Sequence, residues 1–216
     1  MYEHKGRDLW LRWVLANAGG AVGGALAGTF LSAPCLSMFA YLGLAVAYVV
    51  SWLVFTLTVS WAQQAAIWSY SDMTWLRNST FGGVIAIVLG TFAGGGVLLS
   101  PIGWLPVGAL GGLIIGLAQW PVLREELSTS YARTWPWVPA NAVGMSVGMA
   151  GGQAAFTFMF GEQGLVVPSN LQLLDYIVGL IVNPLARATI AVALAAVITG
   201  GALLLIQRQR QASVAG

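Results

Sequence analysis

Residues 13–33 read WVLANAGGAVGGALAGTFLSA, 21 consecutive positions without a charge. About 20 apolar residues carry a helix across a hydrocarbon layer roughly 30 Å thick, so this stretch reads as a membrane span. Within it, Gly20, Gly24 and Gly28 follow Asn17 at every fourth residue, which puts them on one helical face. The same opening recurs as Trp75-Leu76-Arg77-Asn78, followed by Gly82 and Gly83, and again as Trp137-Val138-Pro139-Ala140-Asn141, followed by Gly144, Gly148 and Gly152. The three Asn lie 61 and 63 residues apart, close to the length of one helical hairpin per period.

Further apolar runs fall at residues 38–62, 79–100, 102–123, 138–160 and 186–206, with charges confined to the gaps between them. An all-α membrane protein of six transmembrane helices is therefore expected: one polytopic domain over residues 1–216, built as hairpin repeats over about 8–68, 72–124 and 133–210. Prolines 34, 101, 106, 121, 136, 139, 168 and 184 lie at or near the expected helix ends, where a missing N–H is tolerated. The apolar segment 171–182 is too short to span and reads as an outer-side interfacial or re-entrant helix, with Asn183-Pro184 beginning the last span.

Eight of the nine basic residues share one side of such a bundle, and only Arg187 falls on the other. The positive-inside rule then puts both termini in the cytoplasm. Trp10, Trp13, Trp61, Trp68, Trp75, Trp120, Trp135 and Trp137 gather at the same ends, as an interfacial aromatic belt does.

Composition narrows the chemistry. Hydrophobic residues make up 58% and charged residues 7% of the 216, against about a quarter charged in a soluble domain; the mean hydropathy is +0.80. One His, one Cys and one Lys leave no material for a metal centre, a thiol site or a disulfide framework. No basic cluster tracks a phosphate backbone, so nucleic acid is not an expected partner. Gly144-Met145-Ser146-Val147-Gly148 matches a hydrolase elbow by string. It lies within a helical run, and the only His is in the N-terminal tail. No cofactor is expected; a pigment or lipid remains admissible without His ligation. No carboxylate falls mid-span, which argues against proton coupling.

The polar candidates are amides. Asn17, Asn78 and Asn141 open the odd helices, and Gln63 and Gln119 close two even ones, with Gln207 a weaker third. All fall at one membrane depth. Buried amides need partners in lipid, so the layer is either a set of interhelical hydrogen bonds or a site for a neutral polar solute or lipid headgroup. Gly20, Gly24, Gly28, Gly108, Gly112, Gly116, Gly144, Gly148 and Gly152 read as helix-packing seams. Arg187 either snorkels to lipid headgroups, pairs with Asp175 or Glu162, or binds a lipid phosphate.

Gly116-Leu117-Ala118-Gln119-Trp120 followed by Trp137-Val138-Pro139-Ala140-Asn141-Ala142 resembles a repeated pattern in small multi-pass membrane proteins of photosynthetic bacteria, over residues 108–152. Pro121 and Pro136 depart from that pattern. The resemblance implies a bacterial plasma or internal photosynthetic membrane and no particular activity. The expected function is a non-catalytic membrane subunit, a scaffold or accessory component packed against membrane lipids, other membrane proteins or a second copy of itself. The alternative is a channel or facilitator for a small neutral solute.

Overall fold

A computed structural model describes residues 6–37, 40–67, 73–93, 101–127, 134–162, 164–165 and 172–215. Among them there is no strand. The elements in chain order are α1 (Gly6–Ser32), a 3-10 turn (Ala33–Ser37), α2 (Ala40–Ile67), α3 (Met73–Ala93) and a second 3-10 turn (Pro101–Gly103). α4 (Trp104–Leu127), α5 (Trp137–Phe160), a short α6 (Gln172–Ile177), a π-helical stretch (Val178–Val182) and α7 (Asn183–Ala215) follow. Four segments are long and apolar enough to cross a membrane: Asp8–Cys35, Leu42–Ile67, Pro101–Glu125 and Asn183–Gln209. α3 and α5 are 21 and 24 residues long. Residues 94–100, expected to finish the third span, and the loop residues 166–171 lie outside the described residues, as do Lys5, Trp68 and Arg133.

The six long helices form a ring in which each packs on its chain neighbours, and α7 closes it against α1. Glycine sets the spacing at three seams. On α1, a Cβ at Gly20 would meet Ala62 at 2.7 Å, at Gly24 the Phe55 backbone at 3.0 Å, and at Gly28 the Ser51 carbonyl at 2.6 Å. On α4, Gly108 and Gly112 press on the carbonyls of Met145 and Asn141, and a Cβ at Gly116 would lie 3.1 Å from Val138. On α5, Gly148 presses on the Ala191 carbonyl; a Cβ at Gly144 would lie 3.2 Å from the Ala195 carbonyl, and one at Gly152 would lie 2.9 Å from that of Arg187. Backbones this close gain dispersion contact that any side chain would forbid.

The segment before the last span differs from the expected separate surface helix. α6, the π-helical stretch and α7 run on without a break through Asn183 and Pro184. The Asn183 N–H donates to the Val178 carbonyl, a five-residue step. Such a wide turn relieves the clash a proline ring makes with the carbonyl four residues back. Ile181 and Leu185 are buried with Ala21, Ala47 and Phe55, so the π-helical stretch packs on α1 and α2, while Leu174 and Asp175 on α6 stay exposed. Outside the ring, Phe158 is 92% exposed, and Phe30 and Ile102 are also bare. Lipid tolerates such a surface and water does not.

Candidate functional site

The site begins with three indoles at one end of the ring. Trp13, Trp75 and Trp137 open α1, α3 and α5 and meet on its axis, with ring centroids 5.6 to 6.3 Å apart in edge and tilted contacts. Each is at most 1% exposed. They are core residues and not part of an interfacial belt. Trp13, Asn17 and Gly20 share one face by helical spacing, and the close α1–α2 approach at Gly20 turns that face inward. Hydropathy at a helix end does not distinguish an indole facing headgroups from one facing the axis. Trp61 and Trp135, 63% and 47% exposed, do face outward.

Against this triad lies a continuous polar layer. The Asn17 side chain donates to the Trp13 carbonyl at 2.8 Å and accepts from Gln63 Nε2 at 2.7 Å. Gln119 Nε2 donates to Gln63 Oε1 at 3.2 Å and to Ser79 Oγ at 2.9 Å. Trp137 Nε1 donates to Gln119 Oε1 at 3.2 Å, and Trp13 Nε1 to Thr199 Oγ1 at 2.9 Å. These bonds connect α1, α2, α4 and α3 on one side and close through Trp137 on α5 and Thr199 on α7, so all six long helices contribute. Asn141 donates to the Trp137 carbonyl at 2.9 Å, with its carbonyl held against Gly112 and its Cβ against Gly116.

Two positions differ from the sequence reading. Ser79, not Asn78, enters the layer; Asn78 is half-buried and its side chain makes no hydrogen bond to the described residues. The spacing explains it: Trp13, Trp75 and Trp137 are 62 residues apart, and so are Asn17, Ser79 and Asn141. Matching Asn with Asn shifted the middle copy by one residue. Thr199, not Gln207, enters the layer from α7 by accepting from the Trp13 indole, and Gln207 Oε1 is buried without a partner two turns further along α7.

The polar layer floors a cavity of about 470 Å³. It runs from Gln63 to Tyr48 along α2, from Gln119 to Trp104 along α4, from Asn141 to Gln153 along α5 and from Thr199 to Pro184 along α7. At 1.5 Å rise per residue these spans correspond to about 18 to 22 Å, making the chamber long and slender. Between its ends the wall is mainly apolar, including Phe55, Val59, Ile87, Val107, Ile115, Met145, Met149 and Val192. Among the described residues, neither an acidic residue nor a His, Cys or Lys lines it.

The far end is different in chemistry. Arg187, one turn after Pro184, is the only fixed charge among the described residues that line the chamber. Its guanidinium carbon lies 4.7 Å from the Phe156 ring centroid, and its Nε is buried without a hydrogen-bond partner. Gln153 Oε1 and Trp104 Nε1, also lining residues, are buried and unpartnered as well. Asp175 and Glu162, the expected partners of Arg187, are both exposed. Comparison with protein-family models, curated proteins and solved structures returned no match.

Proposed function

We propose that the chain is a non-catalytic integral membrane protein whose ring of helices holds an elongated apolar molecule, of the lipid or pigment class, in its central chamber. The observation that carries this reading is the long, mainly apolar cavity ending on a polar layer whose groups are already hydrogen-bonded to one another. About fifteen waters would match its volume at roughly 30 Å³ each, yet most would face carbon and lack partners. An apolar ligand gains where water loses. A facilitator for a neutral solute would have to break the amide layer and part three indoles at every passage, which favours retention over conduction. The described residues of the wall include no carboxylate, imidazole or thiol to act as a base or nucleophile.

In this reading all six long helices span the membrane as three hairpins about a pseudo-threefold axis, both termini are cytoplasmic, and the membrane is a bacterial plasma or photosynthetic one. The 62-residue spacing of Trp13, Trp75 and Trp137, of Asn17, Ser79 and Asn141, and of Gly20, Gly82 and Gly144 supports the repeat. The bare outer surface would meet lipid or neighbouring membrane proteins. The test is purification in mild detergent, followed by organic extraction, mass spectrometry and an absorbance spectrum. A stoichiometric apolar molecule is expected, and it should be lost in Met149→Trp, which fills the chamber. A protein that carries no such molecule and takes up no apolar probe overturns the reading.

A further inference from the structure

We infer that the Arg187 end of the chamber is a headgroup site, and that the molecule held is a single-chain amphiphile with an anionic head. This rests on the chamber reading above and adds the class of ligand and its direction. The head lies among Arg187, Trp104 and Gln153, and the chain runs toward the amide floor.

Three observations carry it. The first is charge: among the described residues, Arg187 lines a chamber with no acidic residue in its wall. Its guanidinium is half-buried, and a charge partly withdrawn from water favours an anionic partner; the Phe156 ring beneath it offers only a partial one. The second is hydrogen bonding. Arg187 Nε, Trp104 Nε1 and Gln153 Oε1, on α7, α4 and α5, all lack partners. Buried polar atoms are rarely left so. An oxyanion seated among them takes the two N–H donors; the Gln153 amide, whose Nε2 now donates to Thr157 Oγ1 at 3.3 Å, adds a third when turned over so that the Thr157 hydroxyl donates to its Oε1. The third is shape: a bore about 18 to 22 Å long, apolar below its charged end, matches one alkyl or isoprenoid chain and not a two-chain lipid. The floor supplies no second charge, so the ligand's polarity is one-ended too.

The experiment uses the full chain in phosphatidylcholine nanodiscs with three chain-matched polyene probes: a fatty acid, the alcohol and the alkyl phosphate. Met149→Trp subtracts partition into the bilayer. The acid and the phosphate are expected to bind about tenfold or more tighter than the alcohol, the scale of a hydrogen bond to a charged group. Arg187→Gln should erase that preference while leaving alcohol binding intact, which also reports that the variant is folded; Arg187→Lys should restore part of it. The ratio between acid and phosphate tells which head is held. Equal binding of acid and alcohol by the unaltered protein, or a preference that survives Arg187→Gln, overturns the headgroup site while the chamber reading stands. If no probe binds, the chamber reading itself fails. Should Arg187→Gln not fold, the acid-to-alcohol ratio of the unaltered protein decides alone.

Discussion

Replacing Gln119 by Leu removes the most connected side chain of the polar layer while nearly keeping its volume. Gln119 is 1% exposed, donates to Gln63 and Ser79, and accepts from the Trp137 indole. Interhelical hydrogen bonds in membrane proteins average about 0.6 kcal/mol each, so three contribute roughly 2 kcal/mol. The Trp137 N–H is then left buried without an acceptor, and an orphaned donor costs about 1 to 3 kcal/mol. A loss of about 3 kcal/mol is expected, a hundredfold or more in the folding equilibrium. Asn78→Leu touches no such bond and should cost less than about 0.5 kcal/mol. Both are measured by reversible unfolding in mixed micelles, following the fluorescence of the buried indoles. A double-mutant cycle with Gln63→Leu should fall short of additivity, because the two residues share a bond. If Gln119→Leu is no more destabilising than Asn78→Leu, the layer does not hold the ring together and the 62-residue register is wrong.

Two further outcomes follow from close approach and from exposure. Gly112→Ala forces a methyl into the Asn141 carbonyl and should lose about 1 to 3 kcal/mol by overpacking, whereas Gly201→Ala, with open space around it, should gain up to about 1 kcal/mol in helix propensity; apparent Tm in detergent separates them, and equal effects would refute the seam. For orientation, Cys35 is half-buried in the turn after α1 and is the only cysteine, so a membrane-impermeant maleimide should label it in intact cells. A cysteine at exposed Ala212, in a Cys35→Ala background, should react only after permeabilisation, and the reverse pattern would invert the proposed topology.

The presence of six long helices was legible because apolar length is a local property, though their ends run several residues beyond the apolar runs, as at Gly6 and Ala215; the glycines at every fourth residue were legible because a helix repeats its faces. What escaped is relational. The indoles of Trp13, Trp75 and Trp137 carry no mark of facing one another rather than headgroups; only the positions of three separate helices decide it. Ser79 was overlooked because an identical Asn stood one residue away, although a constant interval of 62 is a better criterion than residue identity. Thr199 has a hydroxyl where Gln63 and Gln119 have amides, so likeness of side chain missed a likeness of place. The chamber is least legible of all, since it exists where side chains fall short of meeting. Arg187 stood out as a solitary charge, but its company comes from two other helices, Trp104 from α4 and Gln153 and Phe156 from α5.

The closure of α7 against α1 sets an order of events. Helices are made from the N-terminus onward, so α1 to α5 are in place before α7 exists, and until then the chamber lacks one wall. Trp13 has no Thr199 to receive its N–H, and Gly144, Gly148 and Gly152 have no backbone to rest on. α7 thus brings in one step both the wall that completes the ring and Arg187, the one charge among the described lining residues of the chamber. Under the proposed reading, an apolar guest enters sideways from the bilayer during biogenesis, before that wall is in place.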